Sequence, residues 1–283
     1  MPAWTPAPGS AEARALAHVE SASAGGPLDA SWRVTLHFHP DRLHGGLPIL
    51  AVLAREGIYR SQFETGTSNG GLTAHPGGER WRWESRMFGG AYDHAAPVRR
   101  PKYGALNHAG RATGAAPRFG SAYLRLRPEV LARCSFCYPD SVFEPLHFGV
   151  QQRCDLAARA LADRQDRLDD YVEAHIHGPL RLADDVEALV LDPCYCGLEV
   201  ERLARQLPCA LEWHPGFRLP QASLREHAGY REREIVELGA TLVRDGWLDP
   251  ACIGDAARSG SHDHQQLKKL WHILARFGDL AMT

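Results

Sequence analysis

The stretch Trp32-Arg-Val-Thr-Leu-His-Phe-His-Pro-Asp-Arg42 decides how the fold is read. Trp32, Val34, Leu36 and Phe38 alternate with Arg33, Thr35, His37 and His39, the two-residue period of a strand with one packed face. Pro40 stops that strand, because proline has no N–H to give to a ladder. A short helix is expected from Pro48 to Glu56, with Leu50 and Leu53 on its apolar side and Gly57 placed to end it. The chain then runs straight into Gly57-Ile-Tyr-Arg-Ser-Gln-Phe-Glu-Thr-Gly-Thr-Ser-Asn-Gly-Gly71. Here a phenol, a guanidinium, an amide, a carboxylate and several hydroxyls follow one another with almost nothing apolar. So varied a set of hydrogen-bonding groups suits the grip on a large polar ligand better than a simple turn.

Working outward, further strands are expected at Ser121–Arg127, Cys134–Tyr138, Tyr171–His177 and Asp185–Leu191. Helices are expected at Gly149–Arg167, Glu199–Gln206, Glu232–Asp245 and Asp263–Gly278, the last opened by Asp263 and Gln266 in a capping-box arrangement. Residues 72–107 read as a long, ordered, irregular loop, rich in turns yet carrying Trp81, Trp83, Phe88 and Tyr92. Pro101–Leu106 and Arg118–Ser121 flank a small Gly/Ala-rich loop. The strand-rich part followed by helices implies an α+β fold. Three regions are expected: a flexible N-terminal arm over 1–30 with a short helical run at Glu12–Glu20, an α+β ligand-binding domain over 31–197, and a helical region over 198–283 packed on it.

The 283 residues are 44% hydrophobic, enough for one large domain or two modest ones. A net charge of -2 points neither to nucleic acid nor to an anionic membrane. No apolar run approaches the ~20 residues of a membrane span. The start Met1-Pro-Ala-Trp-Thr-Pro-Ala-Pro has no basic end followed by an apolar core, so a cytoplasmic protein without a secretory signal is expected. Seven cysteines, with one C-x-x-C at Cys134 and Cys137 and no second at zinc-ribbon spacing, read as reduced structural thiols, with bound zinc as the alternative.

Two strands present a similar polar face, His37-x-His39 and Glu173-x-His175-x-His177, since residues two apart on a strand share a side. Three readings stand side by side. A divalent metal held by the four histidines, with Glu173 as ligand or base, would make a hydrolase. A site for NAD chemistry of the ADP-ribosyltransferase kind needs a carboxylate beside the ribose and polar clamps on the nicotinamide and phosphates. Histidines satisfied within the sheet would leave a binding module that holds a nucleotide without turnover. No G-x-G-x-x-G follows a strand, which argues against a Rossmann dehydrogenase.

The motifs His37-Phe-His-Pro-Asp-Arg42, Tyr59-Arg-Ser-Gln-Phe-Glu-Thr-Gly-Thr-Ser-Asn-Gly-Gly71, Lys102-Tyr-Gly-Ala-Leu106, Arg118-Phe-Gly-Ser121 and Glu173-Ala-His-Ile-His-Gly-Pro179 resemble an uncharacterised bacterial domain family, from about residue 32 to the end. The order of a strand ending in His, a short helix, a Tyr-Arg loop, Tyr-Gly and a strand with a late Glu is also similar to the ADP-ribosyltransferase superfamily, including its DNA-modifying toxins. That second resemblance implies a split, bent β-sheet core, NAD as substrate and an acceptor it does not specify. By the same resemblance Glu173 is the catalytic glutamate and Arg60 a clamp on phosphate or nicotinamide. His39 is the first-strand NAD contact and Tyr103 the stacking aromatic. The implied NAD site further takes in His37, Arg42, Tyr59, Gln62, Glu64, Thr67, Asn69, Ser121 and His175, with no metal. Pro40 stands where that family carries glycine, and no Ser-Thr-Ser motif is present.

Overall fold

The computed structural model describes residues 4–66, 73–163 and 165–282. Eight strands among the described residues build the main sheet: β1 (Val34–Phe38), β2 (Lys102–Leu106), β3 (Ala122–Leu126), β4 (Cys134–Tyr138), β5 (His147–Val150), β6 (Val172–Ile176), β7 (Val186–Leu191) and β8 (Ala210–Trp213). They form one mixed sheet in the order β8-β7-β3-β1-β2-β6-β4-β5. Together with the helices this makes the fold α+β. The expected strands at 32–39, 121–127, 134–138, 171–177 and 185–191 are all present; the one at 134–138 keeps its bounds and the others are shortened by one to three residues. No helix among the described residues is long and apolar enough to cross a membrane.

The chain divides into two compact units that interleave in sequence, so they do not follow the linear division expected at residue 198. The first comprises residues 1–36, 57–110 and 125–187; the second comprises 37–56, 111–124 and 188–283.

In the first unit β2, β6, β4 and β5 form an antiparallel run, with Tyr103 opposite His175, Ala105 opposite Glu173 and Cys137 opposite Glu173 on its other side. β1 joins the run through Val34–Leu106 and Thr35–Ala105. Gly104 permits that close approach, since a Cβ there would lie 2.8 Å from the Thr35 carbonyl oxygen. The N-terminal segment is docked, against the expectation of a flexible arm. Its helix α1 (Ala11–Ser21) is capped by Ser10 and buries Ala15 and Val19 against Met87, Phe88, Tyr92 and Cys137. Glu12 is buried and held by two hydrogen bonds from Arg99. The stretch read as an irregular loop contains the helix α4 (Glu79–Met87), after α2 (Ile49–Glu56) and α3 (Gln62–Thr65). The helix expected from Gly149 starts only at Leu156, because Gly149 and Val150 pair with Phe136 and Ser135 as part of β5.

In the second unit β7 and β8 pair in parallel, from Ala188–Ala210 to Leu191–Trp213. Helices expected from their apolar stripes are present at Glu199–Ala204, Arg233–Leu242 and His264–Phe277, and a further one spans Pro250–Arg258. The last helix buries Leu267, Leu270, Trp271, Ile273 and Leu274, and the Trp271 indole N–H donates to the Pro117 carbonyl at 2.9 Å.

Candidate active site

Strand β6 was expected to show a packed face and a polar face. All five of its residues are buried, so Glu173 and His175 lie inside the protein and their polar groups must find partners there. The partners form one continuous chain within the first unit. Tyr92 Oη lies 2.7 Å from His177 Nδ1, His177 Nε2 is 2.8 Å from Ser135 Oγ, and Ser135 Oγ is 3.2 Å from His175 Nδ1. His175 Nε2 then reaches Glu173 Oε1 at 2.9 Å. Glu173 Oε2 accepts from Ser141 Oγ at 3.2 Å.

With neutral imidazoles and an ionised Glu173 this chain has a single direction. His175 donates through Nε2 to the carboxylate and so accepts from Ser135 on Nδ1. Ser135 in turn accepts from His177, which accepts from the Tyr92 hydroxyl. Every group is satisfied, and the carboxylate ends a line of dipoles pointing at it. Burial alone pushes the Glu173 carboxyl up, but His175, Arg80 and Ser141 outweigh it and leave it below the usual carboxylate range. Burial holds His177 far down and neutral.

Around this chain α4 supplies two charged side chains. Glu84 is fully buried; its Oε2 accepts from Arg100 Nη1 at 2.6 Å and its Oε1 accepts from Tyr103 Oη at 2.9 Å. Arg100 also donates to the Tyr92 carbonyl at 2.9 Å and lies 4.0 Å over the Phe63 ring. The Arg80 guanidinium lies 4.4 Å from the Tyr103 ring centre and 5.1 Å from that of Trp83. Tyr103 meets His175 edge to face at 5.2 Å, so the aromatic ring and Glu173 share one face of the sheet.

Cys137 Sγ, Glu173 and His175 place one donor atom each within 4.8 Å of the others, the type of set that can hold zinc. The electrostatics fit such an ion poorly. The Arg80 charge already faces Glu173, the carboxylate and His175 Nε2 bond each other, and burial pushes the Cys137 thiol well above its ordinary value, away from the thiolate a metal needs.

The remaining expected residues separate. In the first unit Tyr59 bonds the Leu180 carbonyl through its N–H, and burial pushes its phenol up to about 12. Arg60 is exposed. Glu64 closes a capping box with Ser61 at the start of α3, and the Gln62 side-chain oxygen is buried without a hydrogen-bond partner among the described residues. Thr67 and Asn69 lie outside the described residues.

His37, His39, Arg42 and Ser121 belong to the second unit. His37 faces the Gly120 carbonyl at 3.1 Å through Nδ1 and accepts the Ala116 N–H on Nε2 at 3.2 Å, so both ring nitrogens serve the fold. Ser121 Oγ is 3.3 Å from Tyr195 Oη, which donates to Asp41 Oδ2, itself paired with Arg258. Arg42 is largely buried beside Asp41. His39 packs its ring edge to face with Trp271 at 5.1 Å, and no hydrogen bond to its ring occurs among the described residues.

Burial gives these histidines a measurable consequence. It pushes His37 and His272 down to about 3 and His39 well below its ordinary value. A base depressed on folding binds fewer protons folded than unfolded, so its stabilisation is complete above the unfolded value of about 6.5 and is lost as pH falls towards about 3. The urea midpoint should therefore drop steadily between about pH 7 and pH 5; a flat profile across that window would contradict buried neutral imidazoles.

Sequence reasoning passed over Arg80, Glu84, Arg100, Ser135 and Ser141. The spacing Arg80, Glu84, Met87 was a helical signal, but its buried face carries charge and does not read as amphipathic.

Compared with known families, the chain matches the model described as "Protein of unknown function (DUF3626)" over residues 33–165 and 150–277. The chain belongs to this family. The match takes in the motif-bearing segments and both compact units, so the DUF3626 assignment extends to Glu173, Arg80 and Tyr103 as well as to the C-terminal helices. None of the curated proteins matches the chain.

Proposed function

We propose that the protein is an NAD-dependent ADP-ribosyltransferase in which Glu173 stabilises the cationic ribose as nicotinamide leaves. The observation that carries this reading is the carboxylate itself: buried, held ionised, and ending an oriented chain of four hydrogen bonds from Tyr92. Cleaving the nicotinamide–ribose bond develops positive charge on the sugar. A carboxylate already fixed in place meets that charge without reorganising, which is the most effective form of electrostatic stabilisation. His175 and Ser141 position both oxygens, so a ribose hydroxyl or an acceptor could be oriented by the same group. Tyr103, on the adjacent strand and the same face, supplies an aromatic surface for the nicotinamide ring. The split, bent sheet of that superfamily and the nature of the acceptor belong to the same proposal.

Binding alone can be tested first. NAD at a hundred times its Kd should stabilise the fold by about 2.7 kcal/mol, read as a rise in melting temperature. An unchanged melting temperature at millimolar NAD would remove the basis for the reading.

A further inference from the structure

We propose that Arg80 is the oxyanion anchor of this site, binding a phosphate group of the ligand; the inference rests on the NAD reading and names a residue that it does not require. Arg80 is 8% exposed, yet its Nε and Nη1 have no hydrogen-bond partner among the described residues. The other buried guanidiniums of the same unit are differently placed. Arg100 is bonded to Glu84 and to the Tyr92 carbonyl. Arg133 donates to the carbonyls of His177 and Pro179 through Nη1, and its Nη2, although without a hydrogen bond among the described residues, has the Asp185 carboxylate 2.8 Å away as an ion-pair partner. A buried cationic N–H without an acceptor is costly, so two on one group call for a partner that the described residues do not provide.

The environment keeps Arg80 in readiness. Its guanidinium lies over the rings of Tyr103 and Trp83, and a hydrogen bond with Tyr103 helps to fix its plane while Nε and Nη1 stay without a partner among the described residues. Its charge faces Glu173 and Glu84, but no hydrogen bond joins it to either carboxylate among the described residues. Glu84 spends both oxygens on Arg100 and Tyr103, and Glu173 spends its own on His175 and Ser141. What remains is a planar, permanently charged fan of donors, the geometry suited to phosphate oxygens.

Inorganic pyrophosphate is the probe, titrated by calorimetry at constant ionic strength into the wild type, Arg80→Lys and Arg80→Gln, with circular dichroism to check the fold. Saturable binding by the wild type is expected, weakened at least tenfold in Arg80→Lys, which keeps the charge but loses the planar fork, and absent in Arg80→Gln. Equal affinity in wild type and Arg80→Lys, or no saturable binding by the wild type, overturns the proposal. The two readings fail separately. Arg80-dependent pyrophosphate binding in a protein that ignores NAD leaves the anchor and removes the transferase. NAD cleavage with an unchanged KM in Arg80→Lys leaves the transferase and removes the anchor.

Discussion

Glu173→Gln is expected to slow nicotinamide release from NAD by about a hundred- to a thousandfold while leaving NAD binding nearly intact. The amide keeps the size of the carboxylate and removes its charge. That charge is needed only as the ribose becomes cationic, so the loss belongs in kcat, not in KM. The magnitude is that of deleting one preorganised electrostatic contact, about 3–4 kcal/mol of barrier. The wider cluster sharpens the expectation. His175 Nε2 would face an amide where it now faces a carboxylate, and the chain from Tyr92 through His177 and Ser135 would end on a neutral group. Thermal stability measured beside the kinetics separates lost chemistry from lost structure. A variant that binds and cleaves NAD like the wild type would show that Glu173 is a structural carboxylate.

The second large effect concerns stability. Glu84 and Arg100 form an ion pair whose side chains are 0% and 3% exposed. Burial raises the Glu84 carboxyl, and Arg100 is the main influence opposing it. Glu84→Leu leaves the Arg100 cation buried beside Phe63 with the Tyr92 carbonyl as its remaining acceptor among the described residues. Removing one partner of such a pair typically costs about 3–5 kcal/mol, because the other is left buried and uncompensated. Replacing both, as in Glu84→Leu with Arg100→Met, should recover a large part of that loss. Urea unfolding of the two single variants and the double variant measures this directly. A loss below about 1 kcal/mol in Glu84→Leu would mean that Arg100 finds another acceptor.

Much of this arrangement was legible in the sequence, and what escaped has physical reasons. The alternation in Trp32–His39 and Tyr171–His177 located β1 and β6, because strand periodicity survives even where both faces are buried. The nature of the second face did not follow from it. A row of Glu, His and His looks solvated, and only the neighbouring Ser135, Tyr92 and Arg80, distant in sequence, turn it into a closed network. β2 was hidden by Lys102 and Gly104, poor strand residues on propensity. Lys102 is nevertheless buried, donating to the Gly178 carbonyl at 2.8 Å, and Gly104 is required by the closeness of β1. The polar stretch from Gly57 reads as a grip on a ligand, yet its described part spends Ser61 and Glu64 on capping α3. The docked N-terminus was missed because alanines carry its contact, and small residues give a weak apolar signal.

The most direct test is nicotinamide release by the purified wild-type protein at saturating NAD, resolved chromatographically with and without Glu173→Gln. The account predicts release well above the buffer rate in the wild type and near that rate in the variant. NAD left intact by a folded wild-type protein, or cleaved equally by both, would contradict it.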